Sequence, residues 1–387
     1  MNKPLAVEAA AVDRGLSASA QPAPVPHSIP DLAVIIPTLN EAGNVARILG
    51  AVERVLGDVA YEVIFVDDWS RDGTVAEIAA LAAIRPNVRV ISRYGRRGLA
   101  SAVVEGAMAT LAPVVAVIDA DMQHDERVLP QLFDLVHNQG KDVAVGTRYC
   151  GDGGFGEWKE SRKAASRLAT RVANAFLPEG VSDPMSGLFA IRRELIVDNL
   201  PRLSQMGFKI LLDLLMTAPG ALKVGEVPYT FRTREVGESK LDGTVIVDFA
   251  MLLLDKKLGR WVSPRLVFFG AIGALGLLVH LAILSVCLKL FGTGFPMGQT
   301  AAVTGAIAFN FILNNELTYR DRRLRGWKLL GGLMSFYAIC SLGAVANVGA
   351  GSLAFANHYS WWVAGIAGAI VGSAWNFMAS RMLTWRK

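Results

Sequence analysis

Four long apolar stretches in the last third of the chain constrain its fold more than any other feature. They cover roughly residues 266–288, 297–316, 329–351 and 361–382, and each is near the ~20 residues that a helix needs to cross a bilayer. One such stretch fits a buried core helix, but four in succession predict a membrane domain over residues 265–387. A mean hydropathy of +0.37 agrees with a chain that lies partly in lipid.

The basic residues flank these stretches and predict their orientation. From Arg265 onward, 10 Lys and Arg oppose 2 acidic residues, giving a charge of +8, whereas the rest of the chain carries −3 (29 minus 32). The loop 320–325 and the C-terminal residues 386–387 are strongly basic, and residues 352–360 contain no Lys, Arg, Asp or Glu. The positive-inside rule therefore predicts a multi-pass protein with both ends of the bundle in the cytoplasm. Nucleic acid is not an expected partner.

The segments around the central part of the chain carry weaker signals. Residues 1–30 are rich in Ala, Pro and Ser and lack the apolar core of a signal peptide, so we predict a disordered cytoplasmic tail. Residues 242–264 place apolar and basic groups at helical spacing, which predicts amphipathic helices in the membrane interface. The 3 cysteines are scattered, so neither a disulfide framework nor a zinc site is expected.

The membrane part also contains an internal repeat. Residues 309–320 align with residues 375–386 at a 66-residue offset, matching Asn, Phe, Leu, Thr and Arg. The repeat predicts two helix hairpins, each closing at the inner membrane surface. Two interpretations of these ends stay open, namely anchoring at the interface and a site for a lipid headgroup.

Residues 31–241 alternate short apolar runs with longer helical stretches, which predicts an α/β domain with a largely parallel, buried sheet. The expected strands are residues 32–36, 62–66, 88–91, 114–118 and 142–145. The expected helices are residues 41–56, 74–83, 98–111, 126–138 and 160–177. Ligands of such sheets bind beyond the carboxyl ends of the strands, so the residues that follow each run are the candidates for function.

The sharpest chemical signal is residues 119–124, Asp-Ala-Asp-Met-Gln-His, directly after a buried strand. Asp119, Asp121 and Gln123 stand at alternate positions on the expected turn, where their oxygens can converge on a hard divalent cation that also takes phosphate oxygens. A pair of aspartates at this spacing arises easily by chance. Acidic residues at the ends of two other strands, residues 67–68 and Glu41, make coincidence a poor explanation.

Six ordered stretches resemble a family 2 glycosyltransferase of the GT-A fold, in particular the polyprenyl-phosphate (dolichol-phosphate) mannose synthases. They are residues 36–41 (Ile-Pro-Thr-Leu-Asn-Glu), 66–74 (Val-Asp-Asp-Trp-Ser-Arg-Asp-Gly-Thr), 119–124, 146–148 (Gly-Thr-Arg), 182–187 (Ser-Asp-Pro-Met-Ser-Gly) and 227–241. The repeated four-helix segment resembles the GtrA-type membrane domain. The resemblance implies an α/β, Rossmann-like GT-A catalytic domain over 31–241, followed by an all-α four-helix transmembrane domain.

The resemblance also implies the donor site. The residues that would bind the nucleotide sugar are Pro37, Leu39, Glu41, Val66, Asp68, Asp119, Ala120, Asp121, Gln123, Arg232 and Lys240. Among them, Asp119, Asp121 and Gln123 would hold a divalent cation, Mg²⁺ or Mn²⁺. Trp69 stands where the family usually has Gly, which puts the local turn and the base contact in question. A role for Asp68 as a helix cap is the structural alternative.

On the acceptor side, Arg148 ends a strand, and Arg162 and Ser166 lie four residues apart on one face of a predicted helix. By resemblance these three residues would bind the phosphate of the lipid, a role that suits the planar guanidinium group. Residues 231–241 form a polar loop that in the family covers the sugar diphosphate. The residues expected to take part in catalysis are Asp121, Arg232, Arg234 and Lys240.

Together these features predict a membrane-bound enzyme that transfers mannose from GDP-mannose to a polyprenyl phosphate at the cytoplasmic membrane face. The expected reaction is metal-dependent and inverting, giving a β-linked product. A phosphate monoester with a second pKa of about 6 is already largely anionic at neutral pH, so a general base is not required. Two alternatives stay open, namely transfer from UDP-glucose or another NDP-hexose, and a flippase for sugar-linked lipids.

Overall fold

A computed structural model of the chain describes residues 29–95, 98–156, 160–204, 207, 209–232, 244–259 and 261–386. Residues 1–28 of the predicted tail lie outside the described residues, as do Arg234 and Lys240.

The catalytic domain is built on one mixed sheet of seven strands in the order β3-β2-β1-β4-β6-β5-β7. The strands are β1 Leu32–Thr38, β2 Tyr61–Asp67, β3 Val88–Ser92, β4 Val114–Val117, β5 Val143–Thr147, β6 Phe189–Arg192 and β7 Val224–Pro228. All five predicted strands are present. The expectation of a largely parallel sheet needs one correction, since β6 runs antiparallel to both β4 and β5. Strand β6 has only four residues and does not alternate clearly, so its sequence carries little strand signal.

Eight helices surround or adjoin this sheet among the described residues, namely α1 Val45–Leu56, α2 Thr74–Ala82, α3 Leu99–Met108, α4 Leu129–His137, α5 Glu160–Asn174, α6 Arg193–Asn199, α7 Ile210–Thr217 and α8 Thr244–Leu258. Helix α1 begins later than the predicted residue 41. The chain first makes a turn in which Asn40 and Gly43 have φ values of +53° and +84°, which is incompatible with a right-handed helix. The amphipathic helices predicted for residues 242–264 correspond to the single helix α8 within the described residues.

Two apolar clusters cover the faces of the sheet and fix its register. Alternate residues of β1 point to opposite faces, so Val34 and Ile36 join one cluster while Ala33 and Ile35 join the other. Helix α3 lies close to the second face, where a Cβ on Gly106 would come within 2.8 Å of Ile35 Cγ2. The sheet is therefore buried on both sides, and its carboxyl edge is the place left for chemistry.

The membrane domain consists of two helix hairpins. They are α9 Pro264–Lys289 with α10 Phe295–Leu313, and α11 Trp327–Ala356 with α12 Trp361–Ala379. Within the part of the chain that the structure describes, two segments are long and apolar enough to cross a bilayer, Pro264–Lys289 and Trp327–Asn347.

The two copies of the sequence repeat have the same local structure. Helices α10 and α12 each continue into one π-helical turn, at Asn314–Thr318 and Ser380–Thr384. The equivalent residues that follow these turns, Tyr319 and Trp385, stack with ring centroids 4.2 Å apart and are both fully buried. The two hairpins thus end in the same local structure, and aromatic residues of both copies of the repeat pack in one buried cluster.

Candidate active site

The segments that follow β1 and β2 are hydrogen-bonded into one wall at the carboxyl edge of the sheet. The Thr38 hydroxyl donates to Asp67 Oδ1 at 3.1 Å, the Asn40 backbone N–H donates to Ser70 Oγ at 2.8 Å, and the Glu41 N–H donates to Thr74 Oγ1 at 2.9 Å. Because β1, β2 and β4 are parallel neighbours, their carboxyl ends meet at this edge. The predicted donor residues on these segments are thereby brought together, namely Pro37, Leu39, Glu41, Asp68, Asp119, Ala120, Asp121 and Gln123.

Asp68 is held by a buried ion pair. Its Oδ1 lies 3.0 Å from Arg93 Nη1, and its Oδ2 accepts from the Gly98 N–H at 2.7 Å. Asp68 does not cap α2, since the Thr74 N–H at the start of that helix donates to Asp72 Oδ1; the Asp68 carboxylate instead binds the N–H of Gly98, the residue directly before α3. Asp68 therefore holds the start of α3 in place and lies at the carboxyl edge of the sheet.

Val66 contributes differently from the other predicted donor residues. It lies in β2 and is fully buried within the apolar cluster on one face of the sheet. Its main chain is paired with Pro37 of β1 and Ile91 of β3, so its role in binding the nucleotide sugar stays a prediction.

Trp69 occupies the turn after β2 in a left-handed conformation, with φ of +62°. This conformation is easy for Gly and strained for other residues. The backbone at residue 69 therefore has a conformation that suits glycine, although the residue is a tryptophan. The indole is 43% exposed and packs edge to face on Tyr94 with centroids 4.8 Å apart.

The acidic motif after β4 forms a tight turn. Met122 has φ of +61°, and Asp121 Oδ1 accepts from the Gln123 N–H at 3.1 Å. Asp121 is buried and Asp119 is partly exposed. Among the described residues, no group of three or more His, Cys, Asp and Glu side chains is arranged around one point. The donor set that fits a hard cation here is two carboxylates with the Gln123 amide beside them and ligand oxygens completing the shell.

His124 braces this motif. Its Nδ1 accepts from the Asp119 N–H at 3.4 Å, and its Nε2 lies 3.8 Å from Asp119 Oδ2. Burial lowers the pKa of His124 to about 4, so the ring is neutral at physiological pH. Gly187 makes the close approach possible, because a Cβ at that position would come within 2.8 Å of the ring and 3.1 Å of the Asp119 carboxylate.

The expected acceptor residues lie near one another around Tyr149. The Arg148 guanidinium binds Asp183 through two bonds, Nε to Oδ2 at 2.7 Å and Nη2 to Oδ1 at 2.9 Å. Burial acts against its charge, but the bonds to Asp183 outweigh this and raise the pKa of Arg148 above its ordinary value. The edge that sequence reasoning assigned to a bidentate phosphate contact is thus engaged by Asp183, which positions the guanidinium.

Arg162 and Ser166 lie on the adjacent part of α5. Ser166 Oγ is 2.6 Å from the Tyr149 hydroxyl, next to Arg148 in the chain. Burial and then repulsion from Arg148 lower the pKa of Arg162. The two guanidinium groups are therefore close enough for their charges to interact.

Aromatic contacts join the acidic motif to these arginines. The His124 and Phe231 ring centroids are 5.4 Å apart, and the Arg148 guanidinium carbon lies 5.6 Å from the Phe231 centroid. The acidic motif and these arginines are therefore parts of a single site.

Lys209 is a functional candidate that sequence reasoning missed. Its ammonium donates to the Met185 carbonyl at 3.4 Å. Burial lowers its pKa to about 8, repulsion from Arg148 adds to this effect, and the charges of Asp183 and Asp119 oppose it. The available signal was a lone cation directly before the apolar segment Ile210–Thr217, a position that only the fold connects with the motifs.

Arg232 is bound by two acidic residues in this structure, and its expected role over the diphosphate stays a prediction. Its Nη2 is 2.8 Å from Asp125 Oδ1 and its Nη1 is 2.7 Å from Glu126 Oε2. Its carbonyl accepts from Gln123 Nε2 at 3.1 Å, and its N–H donates to the Gln123 carbonyl at 2.8 Å. In this structure Arg232 ties the polar loop to the acidic motif. Arg234 and Lys240 lie outside the described residues, so their roles stay predictions.

Comparison with known proteins agrees with this geometry. Glycosyl transferase family 2 matches residues 33–199, and the GtrA/DPMS transmembrane domain matches residues 268–385. A dolichol-phosphate mannosyltransferase of Pyrococcus furiosus is 33% identical over 358 residues, which is 92% of this chain and 99% of that relative. The protein of the same name from Saccharomyces cerevisiae is 35% identical over 249 residues, covering 62% of this chain and 91% of the relative.

Among solved structures, glucosyl-3-phosphoglycerate synthase from Mycobacterium tuberculosis, in complex with Mn²⁺, UDP-glucose and phosphoglyceric acid, gives a TM-score of 0.42 at 24% identity. The similarity covers 59% of this chain and 79% of that one.

The mixed sheet, its acidic edge and the matched domains define a family 2 glycosyltransferase with a GT-A fold joined to a membrane domain. The relative from Pyrococcus furiosus matches through both domains. The chain belongs to the dolichol-phosphate mannosyltransferase family.

Proposed function

We propose that the protein transfers mannose from GDP-mannose to the phosphate of a polyprenyl phosphate, with inversion to a β-linked product. The observation that carries the proposal is the chain of contacts that joins the acidic motif after β4 to Arg148. Asp119 contacts His124, His124 packs against Phe231, and Phe231 packs against Arg148. These contacts support adjacent places for a donor diphosphate and an acceptor phosphate. The relatives named dolichol-phosphate mannosyltransferase support the choice of sugar and acceptor.

Asp119 and Asp121, with Gln123 beside them, would hold Mg²⁺ or Mn²⁺, which would neutralise charge on the departing diphosphate. The chain's own residues supply the rest. Arg148 and Arg162 attract the acceptor phosphate and orient one of its oxygens toward the anomeric carbon. Asp183 holds the Arg148 guanidinium in place, and the phosphate attacks without a general base because it is already anionic.

The proposal includes a location. We place the four helices α9 to α12 across the membrane and the catalytic domain on its cytoplasmic side. The basic loop 320–325 and the uncharged loop 352–360 support this orientation.

The experiment combines donor, acceptor and orientation in one assay. The full chain in sealed inside-out vesicles should incorporate label from external GDP-mannose into polyprenyl phosphate, whereas right-side-out vesicles should not. Asp121→Asn should lower kcat on the order of 10²–10³-fold, because stabilisation of the leaving group is lost. Asp58→Asn, an exposed carboxylate near the amino end of β2, is the matched control and should keep wild-type activity.

Other results would refute the proposal. If lipid-linked glucose formed from UDP-glucose were the sole product, the donor would be UDP-glucose and not GDP-mannose. If Asp121→Asn kept full transferase activity, the acidic motif would not serve catalysis, and a flippase would be favoured. Transfer that occurs only in right-side-out vesicles would reverse the orientation.

A further inference from the structure

Helix α8 lies between the catalytic domain and the membrane domain and contacts both. On its catalytic side, Lys256 Nζ is 2.5 Å from Asp213 Oδ1, and the two side chains are only 10% and 1% exposed. The same ammonium donates to Thr217 Oγ1 at 2.6 Å and to the Arg202 carbonyl at 2.9 Å. A charge that is buried with three partners keeps one geometry, so α8 is fixed on α7.

The apolar side of α8 supports the acceptor half of the site. Leu252 and Leu253 are buried in a cluster with Ala173 and Met185. Ala173 belongs to α5, the helix that carries Arg162 and Ser166. Met185 is two residues from Asp183, and its carbonyl accepts from Lys209. A shift of α8 would therefore move the groups that position the acceptor arginines.

The other contact of α8 reaches the membrane domain. Asp248 Oδ2 is 3.0 Å from Arg320 Nη1, with the side chains 23% and 37% exposed. Arg320 closes the first copy of the sequence repeat, at the end of the hairpin formed by α9 and α10. Asp248 is also packed against the backbone of Gly207, where a Cβ would come within 3.1 Å of the Asp248 Cβ.

The electrostatics show that Asp248 depends on its partner. Burial raises the pKa of Asp248, whereas the charge and hydrogen bond of Arg320 oppose this shift. Removing Arg320 would leave a partly buried carboxylate without this compensation. The pair is thus a specific contact at the junction of the domains, unlike an exposed surface pair.

We propose that the Asp248–Arg320 ion pair is a positioning contact that sets the acceptor side of the catalytic domain against the membrane domain, so that a polyprenyl phosphate held in the bilayer reaches Arg148 and Arg162. In this role the two residues act through the position of α8 and do not themselves bind the substrate. The inference rests on the proposed function, because it concerns delivery of the lipid acceptor.

The test compares two acceptors with the full chain in lipid nanodiscs, one a long polyprenyl phosphate embedded in the bilayer and one a short, water-soluble prenyl phosphate. Asp248→Asn and Arg320→Gln should each raise KM for the embedded acceptor about tenfold, equivalent to about 1.4 kcal/mol. The kcat, the KM for the donor and the KM for the short acceptor should stay unchanged. The exchanged pair, Asp248→Arg with Arg320→Asp, should recover part of the loss.

A matched control is the ion pair Arg323–Glu316, whose N–O distance is 2.8 Å and which lies wholly within the membrane domain. Arg323→Gln should leave both acceptors unaffected. An equal rise in KM for both acceptors, or no rise with the embedded one, would overturn the proposal.

A second readout does not depend on the sugar or the acceptor. Amide hydrogen exchange in residues 244–259 should accelerate in Asp248→Asn and Arg320→Gln and stay at the wild-type rate in Arg323→Gln. If the protein proves to use another acceptor, this measurement still decides whether the pair fixes α8. Unchanged exchange in both variants would refute the positioning role.

Discussion

Substitution of Trp69, in the turn after β2, tests whether the left-handed backbone conformation at this residue is strained. A non-glycine residue in the left-handed region costs about 1–2 kcal/mol, and Trp69 has φ of +62°. Its edge-to-face contact with Tyr94 returns about 0.5–1.5 kcal/mol. Trp69→Ala removes the ring contact but keeps the backbone strain, whereas Trp69→Gly removes both the contact and the strain. Since Gly also costs about 0.5–1 kcal/mol through the entropy of the unfolded chain, the Gly variant should be more stable than the Ala variant by roughly 1 kcal/mol.

The assay is thermal unfolding of the full chain in detergent, followed through the transition of the catalytic domain. A difference of roughly 1 kcal/mol corresponds to a shift in Tm of about 2–4 °C for a domain of this size. The control is Ala80→Gly at an exposed position in α2, where helical φ makes Gly the less stable choice by about 1 kcal/mol. A Trp69→Gly variant that melts below Trp69→Ala, as Gly should do at residue 80, would refute the assignment of strain.

Two further predictions concern buried charge. The pKa of Lys209 is lowered to about 8 from its ordinary 10.5, so between these two pH values the unfolded chain binds more protons than the folded one. The free energy of unfolding should therefore rise with pH in this interval, relative to the Lys209→Met variant. Parallel pH profiles of Tm for the two proteins would contradict this. Asp213→Asn leaves the buried Lys256 charge without its partner and should lower the free energy of unfolding by about 3–5 kcal/mol. Glu53→Gln breaks the more exposed pair with Arg85 and should lower it by at most about 1 kcal/mol. Equal losses in the two melting experiments would show that burial of the pair is not what matters.

Much of the architecture followed from patterns local in sequence. Short apolar runs located β1 to β5, and long apolar runs located the four helices α9 to α12, because these signals depend on which side chains must leave water. The repeat also came from sequence alone, and its equivalent residues Tyr319 and Trp385 proved to be direct partners. The membership in the glycosyltransferase family 2 was likewise contained in short motifs.

The candidate site could be predicted only in outline. The acidic motif was found because a strand end must present its following residues at the sheet edge. The pairing of Arg148 with Asp183 could not be found in this way, since the two residues are 35 positions apart and meet only when β5 and the loop before β6 are in place. Arg232 was expected over the diphosphate but is bound by Asp125 and Glu126.

The sequence by itself determined which residue types are present and in what local order, and hence the two domains, the acidic turn and the amphipathic segment. Tertiary structure alone decided that Lys209 lies among the charges of the site, that Asp68 pairs with Arg93, and that Asp248 meets Arg320. The physical reason is the separation along the chain of the residues that each interaction involves. Burial preference acts residue by residue along the chain, whereas an ion pair needs the charged N and O atoms of two side chains that are distant in sequence to come within about 4 Å of each other, which only the completed packing specifies.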